Sequence, residues 1–299
     1  MTGALTDTVT IARGRLTATF RAQGAELTSL THDGAEQIWQ ADPAVWGWHA
    51  PNLFPIVGGL LGDTLHHQGK SYTLPSHGFL RHSACELVAS SAAACTWRLA
   101  DSAETLAAYP FRFSLTIDYA IEDKSLIGQF TLANPGDQPL IASLGIHPAF
   151  NWPLEPGRRR EDYILRFEHD EPAPIRRVAH KLIVPETEPT PIRSRELRLD
   201  DGLFAADAVI LDQPASRSLV YGAPGGPAIA MEWADFPHLG IWTKPGGAKF
   251  LCIEPWHGHA SPAGFDGEFA TKPGTVTLAP GAERRWRYRI KPLDDFPPG

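Results

Sequence analysis

The chain has 299 residues, 43% of them hydrophobic, which is enough apolar material for one large core. The formal net charge is −7, and the densest basic run, Arg158–Arg160, is followed at once by two acidic residues, so a nucleic-acid binder with a basic stripe is not expected. The three cysteines form no Cys-x-x-Cys pair, which excludes common zinc-ribbon and redox motifs and fits a reducing cytoplasm.

The chain also lacks the usual signals for export or membrane insertion. Residues 1–7 carry no charged segment followed by an apolar core, as a signal peptide would. No apolar run approaches the ~18 residues that span a bilayer. We therefore expect a cytoplasmic protein with no membrane partner.

Short segments that alternate apolar and polar side chains predict strands along the chain. Regular short strands, together with 27 glycines and 27 prolines, predict an all-β sandwich in a single domain over residues 1–299. Residues 101–108 predict the best helix, with Asp101 as its cap and Glu104 at the capping-box position. The predicted strands are 8–11, 16–20, 25–31, 37–39, 71–74, 94–99, 111–119, 125–132, 276–278 and 286–290.

Four stretches interrupt the strand rhythm with polar, aromatic, Gly and Pro residues: 49–62, 76–82, 145–153 and 235–258. Loops on a rigid β scaffold are where binding and catalytic sites are commonly built. The first contains Asn52 and two consecutive glycines, but it lacks the pattern of a phosphate loop. The second contains His77 and Arg81, which can donate hydrogen bonds to sugar hydroxyls. Structural roles remain open for both.

In the third stretch, Pro148 restricts His147 to an extended backbone at a strand end. Phe150 follows and offers a flat apolar face.

In the fourth stretch, Glu254 ends a strongly apolar strand, where a carboxylate is costly unless it is paired or functional. Partial burial would raise its pKa toward that of a general base. The alternatives are that His147 is a core histidine and that Glu254 belongs to a structural ion pair.

His257 and His259 permit a different interpretation, because two histidines at i and i+2 on a strand can bind one metal ion. The sequence shows no matching carboxylate and distant third histidine. Metal catalysis is therefore the weaker hypothesis, and we expect neither a metal nor another cofactor.

Taken together, the four stretches resemble the aldose 1-epimerase superfamily, in its smaller galactose mutarotase-like, LacX-type branch. The resemblance runs over nearly the whole chain, and the order and spacing of the motifs carry it. The matching segments are Gly24–Leu30, Pro51–Gly58, His77–Arg81, Gly145–Phe150 and Phe250–Trp256.

The resemblance implies a large antiparallel β-supersandwich with few short helices and a monosaccharide in an open cleft. It implies that His147 donates a proton to the ring oxygen and that Glu254 accepts the anomeric hydroxyl proton. His77 is expected on the ring-oxygen side, and Asp235, followed by Pro237 and Trp242, on the sugar hydroxyls. The implied assembly is a monomer or a homodimer.

One departure concerns substrate preference. Galactose-specific enzymes of this superfamily carry an Asn-Arg pair, whereas Asn52 is followed here by Leu53, and Arg81 is the candidate replacement. We expect Glu254 ionised and His147 protonated at the start of the reaction. Two alternatives stay open: a hexose 6-phosphate mutarotase with Arg81 and Lys244 on the phosphate, or a carbohydrate-binding protein without catalysis.

Overall fold

The computed structural model describes residues 7–298. Strands make up 47% of it and helices 8%, which confirms the all-β prediction. The first fourteen strands are β1 Thr8–Arg13, β2 Leu16–Arg21, β3 Glu26–His32, β4 Ala35–Glu36, β5 Asn52–Leu53, β6 Thr64–His67, β7 Lys70–Thr73, β8 Glu86–Ser90, β9 Ala94–Ala100, β10 Ser114–Glu122, β11 Ser125–Ala133, β12 Leu140–Ala142, β13 Leu144–Ile146 and β14 Ala149–Asn151.

Eleven further strands complete the described chain. They are β15 Ile164–Phe167, β16 Ile175–Ala179, β17 Leu182–Glu188, β18 Glu196–Arg198, β19 Val209–Leu211, β20 Ser218–Gly222, β21 Ala228–Trp233, β22 His238–Trp242, β23 Phe250–His257, β24 Val276–Leu278 and β25 Glu283–Leu293.

Two large antiparallel sheets dominate the architecture. The nine-stranded sheet has the order β18-β15-β20-β21-β25-β11-β10-β9-β8. The eight-stranded sheet has the order β17-β16-β19-β22-β23-β13-β5, and β14 also pairs with β23. A four-stranded sheet, β1-β2-β3-β4, and the pairs β12-β24 and β6-β7 complete the fold.

One hydrophobic core contains side chains from both large sheets. Ile117, Phe130 and Trp286 come from the nine-stranded sheet, and Leu251 and Ile253 come from β23 of the other. All five are fully buried or nearly so. Successive residues of a strand face opposite sides of a sheet. The even-numbered residues of β23 therefore face away from this core, and two of them, Glu254 and Trp256, lie at the floor of the site described below.

The helices are short. The α-helix α1 spans Ala103–Ala108, and single 3-10 turns occupy Leu61–Asp63, Leu80–His82, Arg160–Asp162, Asp201–Phe204 and Phe269–Thr271. The predicted cap of α1 was wrong by one residue: Ser102, not Asp101, is the N-cap, and Thr105 closes the capping box. Asp101 instead accepts a hydrogen bond from the backbone of Phe113. Among residues 7–298, none of the helices has the length and apolar character to cross a membrane.

Most predicted strands are present, with two corrections. The strand predicted at 37–39 is absent: the strand that pairs with β3 is Ala35–Glu36, and Ile38 makes only an isolated bridge. The strand predicted from Phe111 begins at Ser114. Phe111 and Phe113 are buried nonetheless. Their alternation with polar residues therefore reflects core packing in the segment that precedes the hydrogen-bonded strand. The single-domain prediction concerns the whole chain and stays a prediction.

Candidate active site

An open cleft of about 240 Å³ lies on the face of the eight-stranded sheet that points away from the main core. The floor contains Glu254 and Trp256 of β23, Ile210 of β19 and Trp242 of β22. Their common orientation follows from strand alternation, because the intervening residues face the core. The other lining residues are Trp46, Val57, Gly58, Ser76, His77, Arg81, His147, Val178, Lys181, Asp207, Ala208 and Ala260.

His147 and Glu254 meet at the bottom of this cleft. Strands β13 and β14 pair with β23 in one continuous register, and His147 lies in the short break between them, opposite Glu254. The flanking pairs are Gly145 with Trp256 and Ala149 with Cys252. Directly opposed residues of an antiparallel pair share a face. The Nε2 atom of His147 consequently lies 3.2 Å from Oε2 of Glu254.

The electrostatics of this pair are dominated by burial. His147 is 8% exposed and Glu254 is 2% exposed. Removal from water raises the pKa of Glu254 well above its usual value and lowers the pKa of His147 well below its own. The 3.2 Å contact acts in the opposite sense, because each charged form stabilises the other. Burial favours the neutral pair and the contact favours the ion pair, and in both forms the two groups hold one titratable proton between them. That this proton resides on His147 stays a prediction.

His77 approaches the pair with a defined tautomer. Its Nδ1 accepts a hydrogen bond of 3.2 Å from the backbone N–H of Gly58, so the ring proton resides on Nε2. The ring centroid lies 5.8 Å from that of His147. Burial, then the nearby cations Arg81 and Lys181, lower the pKa of His77 to about 3. His77 is therefore a neutral hydrogen-bond donor throughout the physiological range.

Aromatic rings form one wall of the cleft. Trp46 stacks on His147 with ring centroids 5.1 Å apart, and Trp242 meets the same imidazole edge-on at 5.8 Å. Such flat apolar faces suit the C–H surface of a pyranose ring. Trp242 was predicted from the sequence, whereas Trp46 was not. The one sequence feature that could have indicated a role for Trp46 is its pairing with Trp48 in a segment rich in turn-forming residues.

Trp256 lies flat in a cradle made by two glycines of the flanking strands. A Cβ atom on Gly145 would come within 2.5 Å of the indole ring, and one on Gly240 within 2.3 Å. The indole N–H is buried without an aligned acceptor among residues 7–298. It lies beside the carboxyl group of Glu254 and favours the charged form, opposing the effect of burial on the Glu254 pKa.

Charged side chains occupy the rim. Arg81 is fixed by a 3.0 Å hydrogen bond from Nη2 to the carbonyl of Ser76, and its guanidinium covers Trp48 at 5.3 Å. Lys181 and Asp207 also line the cleft, and neither was anticipated from sequence. Lys181 sits at the tip of the β16–β17 hairpin, and only the folded topology shows that this tip reaches the site.

Three predicted site residues lie elsewhere. Asn52 pairs with Ile146 of β13, and both side chains face the core. There the side-chain amide of Asn52 donates hydrogen bonds to Gly24 O at 2.9 Å and to Tyr119 Oη at 3.0 Å. Phe150 is fully buried in the main core, because an odd separation from His147 puts it on the opposite sheet face. Asp235 is exposed in the turn between β21 and β22 and does not line the cleft.

The other candidate residues, Lys244, His257 and His259, do not line the cleft either. Lys244, proposed for a phosphate, donates to the carbonyl of Val45 and is not a lining residue. His257 accepts a 3.1 Å hydrogen bond from the indole N–H of Trp286. His259 contacts the carbonyl of Ala260 at 2.8 Å. The two imidazoles thus have separate partners, and the structure gives no support to a metal centre built on them.

Comparison with known proteins assigns the family. The aldose 1-epimerase family matches residues 7–291. Protein LacX of Lactococcus lactis subsp. lactis is 31% identical over 96% of this chain and 100% of its own. A galactose mutarotase related enzyme from Lactobacillus acidophilus has a TM-score of 0.89 and 29% identity, over 96% of this chain and 98% of its own. A galactose mutarotase-like protein from Lactobacillus casei has a TM-score of 0.89 and 30% identity, over 96% and 100%. This chain therefore belongs to the aldose 1-epimerase family.

Proposed function

We propose that the protein is an aldose 1-epimerase that interconverts the α and β anomers of a monosaccharide by acid–base ring opening. One observation carries the proposal: an imidazole and a carboxyl group lie 3.2 Å apart at the floor of an open cleft. A cyclic hemiacetal presents two oxygens on the same carbon, so a pair this close can reach both at once.

The reaction needs one proton removed and one delivered. The Glu254 carboxylate takes the proton of the anomeric hydroxyl O1, while the His147 imidazolium gives a proton to the ring oxygen O5. The C1–O5 bond then breaks, and O1 becomes the aldehyde oxygen. Rotation about C1–C2 exposes the other face of the carbonyl, and the reversed transfers close the ring. Each positioned proton-transfer group typically contributes about 10²–10⁴-fold in rate.

The remaining cleft residues support binding and orientation. His77, as a neutral Nε2–H donor, can hold the ring oxygen without competing for the transferred proton. Trp46 and Trp242 offer the apolar platform, and Arg81 and Asp207 can bind hydroxyl groups at the rim. The proton inventory of the protein returns to its starting value after each turnover, so the chemistry calls for no redox partner.

A second candidate keeps the chemistry and changes the substrate to a hexose 6-phosphate. The observation in its favour is that two cations, Arg81 and Lys181, line the same cleft. Arginine forks and lysine point charges are both used to bind phosphate oxygens. Lys181 therefore replaces Lys244 as the lysine proposed to bind the phosphate. Its Nζ lies 3.6 Å from Asp63, so a phosphate would have to compete with that carboxylate.

Exchange NMR on common aldoses and their 6-phosphates tests these proposals. Magnetisation transfer between the two anomeric proton signals reports interconversion directly. We expect the protein to accelerate this transfer for at least one free aldose. Acceleration confined to phosphorylated sugars would select the second candidate. Binding of a sugar with no acceleration for any member of the panel would overturn both and identify a carbohydrate-binding protein.

A further inference from the structure

A third potential metal ligand lies next to the proton-transfer pair. Cys252 is two residues before Glu254 on β23, so its side chain is on the same sheet face. The ligand atoms of His147, Cys252 and Glu254 all lie within 4.8 Å of one another, and all three residues are buried. Cys252 is a free thiol that does not line the cleft. The proposed reaction gives it no role.

The three donor types match zinc chemistry. Zn²⁺ binds imidazole nitrogen, thiolate sulfur and carboxylate oxygen at about 2.0–2.3 Å, usually in a tetrahedron. Ligand atoms around such an ion are then about 3.3–3.8 Å apart. The 3.2 Å separation of the His147 and Glu254 atoms is within about 0.1 Å of the lower end of this range. The thiol sulfur lies no more than 4.8 Å from either atom, so a movement of about 1 Å would complete three of four positions and leave the fourth for water.

Charge balance also favours a divalent ion here. A Cys252 thiol and a His147–Glu254 pair with one titratable proton would together have two protons to release. Binding of M²⁺ releases both protons to solvent and converts the ligands to one thiolate, one carboxylate and one neutral imidazole. The buried site is neutral before and after, so a dication adds no uncompensated charge to a low-dielectric region.

The hydrogen bonding around the proposed ligands indicates a modest affinity for the metal ion. Nδ1 of His147 is buried without a hydrogen-bond partner among residues 7–298. Strong zinc sites nearly always fix this second nitrogen with a carboxylate or carbonyl. The ion should consequently exchange with added chelator and should not be required for folding.

We propose that the floor of the cleft is an inhibitory site for a thiophilic divalent cation such as Zn²⁺, held by His147, Cys252 and Glu254. The inhibitory consequence rests on the proposed function, because an ion on Nε2 and on the carboxylate blocks both proton transfers. Binding itself does not depend on that function and can be measured without a sugar.

Cobalt(II) titration tests the binding. We expect a thiolate-to-cobalt charge-transfer band with the wild-type protein and with Cys95→Ala, a control at a second buried free cysteine outside the cleft. The band should be absent in Cys252→Ala and in the larger replacement Cys252→Val, which preserves packing if alanine destabilises the fold. Absence of the band from the wild type, or its persistence in both Cys252 variants, would overturn the site.

Inhibition is measured separately, by anomer exchange with added Zn²⁺ and then with excess chelator. Zinc should slow exchange by wild type and by Cys95→Ala, and the chelator should restore it. Cys252→Ala should keep the basal exchange rate and need at least about tenfold more zinc for the same inhibition. Equal zinc sensitivity in the Cys252 variants would contradict the proposal. A wild-type protein without exchange activity that still gives the cobalt band would refute the proposed function and leave the metal site standing.

Discussion

The floor and the rim of the cleft are built in different ways. The floor, made of His147, Glu254 and Trp256, is fixed by strand register and by the alternation of β23. The rim residues Lys181 and Asp207 come from a hairpin tip and a loop, and they are exposed to solvent. The floor is therefore suited to chemistry, which needs fixed atoms, and the rim to substrate selection, which tolerates variation.

The largest expected effect is at the floor. His147→Gln keeps a hydrogen-bonding side chain of similar reach but cannot deliver a proton, so we expect anomer exchange to fall by about 10²–10⁴-fold. His66→Gln, in the β6–β7 hairpin away from the cleft, is the control and should retain wild-type exchange. Comparable activity in the two variants would remove His147 from the mechanism.

The next effect concerns stability, and it compares a glycine packed against the Trp256 ring with a glycine in the loop that carries Trp46. Gly240→Ala forces a Cβ to within 2.3 Å of the Trp256 ring and should lower the free energy of unfolding by about 1–3 kcal/mol. Gly47→Ala, between Trp46 and Trp48, places its Cβ no closer than 3.8 Å to any heavy atom of the described residues 7–298 and should be nearly neutral. Urea denaturation measures both. Equal stability would show that the Trp256 cradle is not tight.

Trp256→Phe separates the packing of the indole ring from its N–H group. The N–H favours ionised Glu254, so its removal should raise the Glu254 pKa further. The single titratable proton of the pair then lies more on Glu254 and less on His147, so fewer molecules start with an ionised base and a protonated acid. Exchange at neutral pH should fall, and the alkaline limb of the rate profile should move to higher pH because the pair loses its proton later. A loss of rate with an unshifted profile would indicate a packing role only.

The smallest effect is expected at the rim. Lys181→Met removes a charge that is 61% exposed and already near Asp63, so exchange of free aldoses should change by less than about tenfold, mainly in KM. If a hexose 6-phosphate is the substrate, the loss in KM should be clearly larger for that sugar. A large fall in kcat for a free aldose would place Lys181 in the chemistry and break the contrast between rim and floor.

The sequence was most informative where local rules decide the outcome. Alternation and turn residues predicted most strands, and the Pro-flanked His147 and Glu254 stood out from apolar strands. Asn52 was misplaced because the register that points it into the core depends on strands far away in the chain. Phe150 was misplaced although local alternation already puts it on the sheet face opposite His147. Lys181 and Asp207 had no local signal, since long-range pairing alone brings them to the cleft.

Exchange NMR on Glu254→Gln shows whether Glu254 is the base that acts on the anomeric hydroxyl. Glu232→Gln, exposed on β21, is the matched control. We expect Glu254→Gln to bind the sugar but to slow exchange by at least about 10²-fold, while the control behaves as wild type. Exchange by Glu254→Gln at the wild-type rate would show that Glu254 is not the base.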